Sequence, residues 1–356
     1  MAISVESLNI LKTAMGSNAS DLYMVAGMPP TIKVSGRHTS HGSQKNTKED
    51  TERFLQSLYS VMGRSIDKLK NGLDDDFSLH LSGIGRFRVN AYYQNDSYAC
   101  VLRTIPSSIP DFNKLNIPNV IIELANLTRG LVLFTGTTGS GKTTSLACLI
   151  DKINREKSLH IVTIEDPIEF THKGIKSIIS HREVERDTKS FASALRASLR
   201  QAPDVILVGE MRDQETISTA ITAAETGHLV FSTLHTMGAA ATVDRIIDVF
   251  PAGQQNQIRT QLAMCLMAVV TQQLLPTLDG KVAPAFEIMI TNVAIRNLIR
   301  ENKIFQIDNI LQTSIQKGMK TMDMSIKDML VRGMITKEQA ASACINPQMV
   351  FGAAAV

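Results

Sequence analysis

Nine consecutive residues constrain this chain more than any others: Gly136, Thr137, Thr138, Gly139, Ser140, Gly141, Lys142, Thr143 and Thr144. The first eight satisfy G-x-x-x-x-G-K-[ST] in full. The glycines let the backbone wrap closely around phosphates and aim its N–H groups at them, and Lys142 can reach the β- and γ-phosphates. The Thr143 hydroxyl can ligate Mg²⁺. An apolar run, Gly130 to Phe134, precedes the motif, and a helix-periodic stretch, Thr143 to Glu156, follows it. The positive amino end of that helix would add to the same anion site. The implied ligands are ATP and Mg²⁺. A strand, a phosphate loop and a helix in this order require an α/β fold.

Composition narrows the class further. The chain has 356 residues, 44% of them hydrophobic and 20% charged, which suits a globular protein of two domains. Its net charge is +3 with the signs interspersed, so no basic stripe points to nucleic acid as a partner. Cys100, Cys148, Cys265 and Cys344 are far apart and form no CxxC pair. That spacing argues against disulfides and against zinc, and fits a reducing compartment. The amino terminus has no basic stretch followed by a long apolar core, as a secretory signal would. The longest apolar run, Leu262 to Val270, is far below the ~20 residues that span a bilayer. A cytoplasmic protein, or one that docks onto a membrane, is expected.

Residues 1–105 read as a small α+β domain. Leu8, Leu11 and Met15 recur at helical spacing, and LYMVAG and TIKVSG flank a Met28-Pro29-Pro30 turn. His38 to Asn46 reads as a loop, and Thr47 to Met62 as a helix that Thr47 caps. DFSLHLSG, GRFRVNAYYQ and SYACVLRTI are strand candidates, with Asp74 to Asp76 as a solvated turn before the first of them. Pro106, Pro110 and Pro118 mark a linker over 106–118. In 119–290, the runs RGLVLFTG, LHIVTIED, PDVILVGE and HLVFSTLH alternate with helical stretches, which argues a mainly parallel sheet wrapped by helices. Residues 291–356 read as nearly all helix, with methionines suited to adaptable packing.

Three further segments place polar groups at strand ends. Glu210 closes Asp204 to Gly209 and could enter the Mg²⁺ shell. Glu165, Asp166 and Glu169 follow another strand, where an acid could hold a water or take its proton; a solvated Asp-Pro turn fits the same pattern. His228 and His235 bracket a fourth strand. His235 or Thr233 could sense a γ-phosphate, although a histidine at a strand end also serves as a structural residue.

These four segments in this order resemble those of the secretion ATPases of type II and type IV pilus systems. TIEDPIEF looks like their Asp box, ILVGEMRD their atypical Walker B and GHLVFSTLHT their His box, and GRFRVN and VLRTIP in the first domain fit too. Within the family the chain most resembles the pilus retraction enzymes. It carries Ala294 to Glu301, AIRNLIRE, which matches their C-terminal motif, and no tetracysteine zinc insertion. It is also expected to open directly with the small domain. A tyrosine at position 23 departs from the histidine that commonly follows Asp-Leu. The resemblance implies a RecA-like P-loop ATPase domain with a helical C-terminal extension, preceded by a PAS-like domain. It implies Glu169 as the water-activating base, Glu210 as the Walker B acid, and His228 and His235 as the His-box pair. It further implies Arg88 and Arg103 as arginines that reach the phosphates from across the domain interface; by pattern alone, Arg86 and Arg88 would be a solvated strand face. Implied partners are five further copies in a homohexamer and an inner-membrane pilus platform protein. An assembly ATPase or an accessory retraction ATPase is an indirect partner at most. The implied location is the inner face of the cell membrane at the pilus base. The alternatives within the same superfamily are a type IVB secretion ATPase, a DNA-transfer ATPase or an accessory retraction ATPase.

Overall fold

The computed structural model describes residues 3–34, 36–105 and 108–352. Pro106 and Ser107, where the linker was expected to begin, and residues 353–356 of the expected C-terminal extension lie outside the described residues. The chain divides into residues 1–108 with 169–171, and residues 109–168 with 172–356.

In the first unit, Ser4 caps α1 (Val5–Gly16). There follow β1 (Asp21–Met24), β2 (Thr31–Val34), β3 (Arg37–Ser40), α2 (Lys48–Met62), α3 (Asp67–Lys70), β4 (Asp75–Leu81), β5 (Gly85–Gln94) and β6 (Ser97–Ile105). Thr47 and Asp50 form a reciprocal capping box that starts α2. The sheet runs β3-β2-β1-β6-β5-β4, antiparallel throughout. Phe87, Val89 and Ala91 alternate inward from β5 and pack with Leu11, Leu55 and Leu102. Two expectations are corrected here. His38 to Ser40 belong to β3, an edge strand exposed at every residue, so no apolar alternation betrayed it. Asp75 is no solvated turn: it is buried, and accepts from Tyr59 Oη at 2.8 Å, Arg64 Nη2 at 3.0 Å and Lys68 Nζ at 3.0 Å.

The second unit opens with a short 3₁₀ turn at Phe112–Lys114 and α4 (Asn119–Ile122). It continues with β7 (Gly130–Thr135), α5 (Lys142–Glu156), β8 (His160–Glu165), β9 (Ile178–Glu183), α6 (Phe191–Ser198), β10 (Val205–Val208) and α7 (Gln214–Glu225). Then come β11 (Leu229–Thr233), α8 (Ala239–Asp248), α9 (Ala252–Cys265), β12 (Leu266–Pro276) and β13 (Val282–Ile290). The sheet order is β13-β12-β7-β11-β10-β8-β9, parallel except for β13 against β12. Every residue of β7, β10 and β11 is buried, as continuous apolar runs covered on both faces require. The run Leu262 to Val270 divides between the end of α9 and the start of β12. Among the described residues, no helix is long and apolar enough to cross a membrane.

The remaining helices are α10 (Val293–Arg300), α11 (Ile307–Thr313), α12 (Met322–Val331), α13 (Lys337–Ala343) and α14 (Pro347–Phe351). Ile295 and Ile299 bury the apolar stripe of α10. Its two arginines differ. Arg300 is exposed and donates only to neighbouring turns, to Asn297 Oδ1 at 2.5 Å. Arg296 instead turns back to α9 and donates to the Ala263 and Met264 carbonyls, each at 2.5 Å. The last turn of α9 has no basic residue of its own, so Arg296 satisfies its orphan carbonyls and complements the helix dipole. Replacing Arg296 with Ala should therefore cost about 2 kcal/mol in chemical unfolding. Arg300→Ala should stay within about 0.5 kcal/mol of the parent. Equal losses would show that the cap contributes nothing.

Candidate nucleotide site

The phosphate loop is shaped by backbone that only glycine allows. Gly136, Gly139 and Gly141 have φ of 129°, 80° and 89°. A Cβ on Gly136 would lie 2.3 Å from the Gln272 carbonyl oxygen, and one on Gly141 would lie 2.7 Å from Gln272 Nε2. Strand β12 therefore buttresses the loop from beneath. Ser145 Oγ donates to Gln272 Oε1 at 2.8 Å, and Thr135 and Thr271 join their hydroxyls at 2.8 Å. Lys142 is buried, and its Nζ donates to the carbonyls of Gly136 and Thr137 at 2.7 and 2.8 Å. Ser140 Oγ is buried with no hydrogen-bond partner, and the Gly141 start of α5 has no side-chain cap. An unpaired buried hydroxyl, an uncapped helix end and a fixed ammonium fit a polyphosphate. Thr143 and Thr144 stand in the first turn of α5. Thr143 and Glu210 carry oxygen atoms of the hard kind that Mg²⁺ takes alongside phosphates and water, and could hold it here.

Glu210 and His235 emerge beside the loop. The strands β7, β11 and β10 are adjacent and parallel, with Phe134 opposite Thr233 and Ser232 opposite Val208. Thr233 Oγ1 donates to the Gly209 carbonyl at 2.6 Å, so that hydroxyl fastens the two strand ends together. The Leu234 N–H donates to the Phe134 carbonyl at 3.1 Å. Glu210 Oε2 lies 2.7 Å from Arg212 Nε and 3.4 Å from His235 Nε2. With Arg245 these residues line a cavity of about 360 Å³. His228 lies apart from these groups. It precedes β11, where its carbonyl accepts the Gly130 N–H at 2.9 Å, and its Nδ1 meets the Ala223 carbonyl at 2.9 Å. It thus stands at the opposite edge of the sheet from the phosphate loop, and this chain does not bring the two together.

The other expected residues group with the first unit. Glu169 is exposed, beyond the cis Asp166-Pro167 bond. Arg88 and Arg103 stand directly opposite each other on β5 and β6. Like charges so placed repel, and each has an acid to offset this. Arg88 Nε lies 3.3 Å from Asp76 Oδ1, and Arg103 Nε lies 3.0 Å from Asp21 Oδ1. Both side chains are exposed, Arg103 more fully than Arg88. Gln272, Thr271, Arg212 and Arg245 were missed in the sequence. A signal existed for two of them, since Thr271, Gln272 and Gln273 are a polar break in an otherwise apolar strand.

A buried histidine follows the Glu169 segment. His172 is 5% exposed and stacks on His181, with ring centroids 5.9 Å apart. The His172 backbone N–H donates to His181 Nε2 at 3.0 Å, which leaves His181 Nδ1–H to donate to Thr163 Oγ1 at 2.7 Å. Burial, and then the neighbouring His181, push the pKa of His172 down to about 4 from 6.5. Below pH 6.5 the unfolded chain takes a proton that the folded chain refuses. Stability is therefore lost as pH falls from about 6.5 to about 4, by up to about 3 kcal/mol. Urea unfolding at pH 7, 6 and 5 should register this loss, and His172→Gln should flatten it. An equal slope in both proteins would remove His172 as its source.

Comparison with known proteins finds relatives over nearly the whole chain. The family model described as "Type II/IV secretion system protein" matches residues 4–309. The twitching motility protein of Neisseria gonorrhoeae is 46% identical over 347 residues, 97% of this chain and 92% of its own length. A Pseudomonas aeruginosa protein described as the type IV pilus retraction ATPase PilT is 45% identical over 341 residues, 95% of this chain and 98% of its own. Among solved structures, that of the pilus retraction motor PilT with bound ADP superposes with a TM-score of 0.88 at 46% identity, covering 96% of this chain and 97% of that one.

Proposed function

This chain belongs to the family of Type II/IV secretion system proteins, and from that premise we infer that it is an ATP-hydrolysing motor that powers type IV pilus retraction. The observation that carries the reading is the Gly136 to Thr143 cradle, in a chain whose relatives over nearly full length are twitching-motility and pilus-retraction proteins. The loop N–H groups and Lys142 hold the β- and γ-phosphates, and the first turn of α5 adds its positive end. Thr143 and Glu210 would hold Mg²⁺, which would neutralise charge on the phosphates. Glu169 takes the proton of the attacking water. Arg88 and Arg103, whose guanidinium groups stay charged at any working pH, stabilise the transferring phosphoryl group. His235, beside Glu210, registers whether a γ-phosphate is present.

The division of labour follows the sequence: a small domain over 1–105, a linker over 106–118, an ATPase domain over 119–290 and a helical extension over 291–356. Six copies form a ring. Turnover in the ring moves an inner-membrane platform protein from the cytoplasmic side and draws pilin subunits back into the membrane.

Lys142→Ala removes the fixed charge opposite the phosphates and should abolish hydrolysis in a steady-state assay. Near-normal turnover would end the ATPase reading. Glu169→Gln keeps the shape of the side chain and should bind ATP but hydrolyse it at least ~100-fold more slowly. A slow Glu210→Gln beside a normal Glu169→Gln would mean that the base is Glu210. Exposed Arg300 tests the transmission. Arg300→Glu should retain ATPase activity, while cells that carry it as their only copy keep their pili and do not twitch. Normal twitching would exclude the outer face of α10 from the coupling.

A further inference from the structure

Glu287 is a buried carboxylate that the nucleotide site leaves unexplained. It lies on β13 opposite Thr271 of β12 and is 4% exposed. Its Oε1 accepts the Ala239 N–H at 2.7 Å, and its Oε2 accepts the Met322 N–H at 3.2 Å. Ala239 is the first residue of α8 and Met322 the first of α12. One anion thus closes the amino ends of two helices. Each end carries a partial positive charge and N–H groups that would be costly to bury unpaired. The need is sharpest at α8, which starts from Gly238 with no side-chain cap of its own.

The position of α8 gives this contact its significance. Leu234 is fastened to Phe134 of β7, the strand that leads into the phosphate loop, and Ala239 is fastened to Glu287. The segment that carries His235 is therefore pinned at both ends. The second oxygen pins α12, whose next residue, Asp323, accepts the N–H groups of Ile345 and Asn346 at 2.7 and 2.9 Å. Those residues lead into α14. Two buried carboxylates in series thus connect the His235 segment to the last helices of the chain.

We propose that Glu287 is a positioning residue that holds the His235 segment against the phosphate-loop strand and links its state to the C-terminal helices. The proposal rests on the reading of His235 as part of the ATP site. Both oxygens act as acceptors, so Gln at this position keeps the shape but turns an N–H₂ group toward one of the two helix ends. Ala removes both contacts.

The test uses the full chain, with steady-state ATPase kinetics and amide hydrogen exchange. Glu287→Gln should lower kcat about 10-fold with KM within twofold, because the segment is misplaced while the phosphate cradle is intact. Amides at the start of α8 or α12 should exchange faster in the same variant. Asp323→Asn frees Ile345 and Asn346 without touching Ala239, and should leave kcat within about twofold of the parent. In the unmutated protein, ADP should change protection over 239–242 and 322–325 together. This last arm needs no variant to fold. A parental kcat in Glu287→Gln, alongside a slow His235→Ala, would overturn the proposal and spare the reading of His235. A parental kcat in His235→Ala would overturn that reading instead. A response to ADP at α8 alone would break the link to the C-terminal helices.

Discussion

The closest approach in the phosphate loop is to a strand far along the chain. The Gly136 backbone lies against the carbonyl of Gln272, with no room for a single carbon between them. For the loop to keep its shape, β12 must lie beside β7 in register, and the Gln272 side chain must meet Ser145 in the first turns of α5. That requirement fixes much else. The chain must cross through α8 and α9 to enter the sheet next to β7, and β13 must return antiparallel along its outer side. β13 then carries Glu287 to the places where α8 and α12 begin. A nucleotide site near the middle of the chain is thereby held by residues of its last third.

The parts of this arrangement that were legible in the sequence are those where one physical cause acts alone. Strands β7, β10 and β11 are covered on both faces, so their residues are continuously apolar. Strand β5 is covered on one face, so Phe87 and Val89 alternate with arginines. The phosphate loop is legible because no other residues permit its backbone. Edges were not legible. β3 and β9 border their sheets, bury little and carry no apolar signature. Direction was not legible either. AIRNLIRE places two arginines one turn apart, yet one caps α9 and the other meets solvent, a difference set by residues 32 and 33 positions away. The separation of His228 from His235 has a simpler reason. A five-residue strand separates it from His235, and such a strand carries its ends to opposite edges of the sheet, about 16 Å apart.

Charge is used differently in the two units. Lys142 is buried and held by two carbonyls, so it is fixed in place before any phosphate arrives. Arg88 and Asp76 are both exposed, so their pair is of the solvent-screened kind that contributes little, whereas exposed Arg103 pairs with a buried Asp21. The Arg88 pair gives way readily to a stronger anion, while freeing Arg103 would leave Asp21 buried without its cation.

The central claim, that this chain shortens pili, is tested most directly by time-lapse imaging of fluorescently labelled pili in cells that lack their own retraction protein. With this chain supplied, pili should both extend and shorten. Without it, they should extend and remain extended. Shortening at the same rate in both would contradict the account.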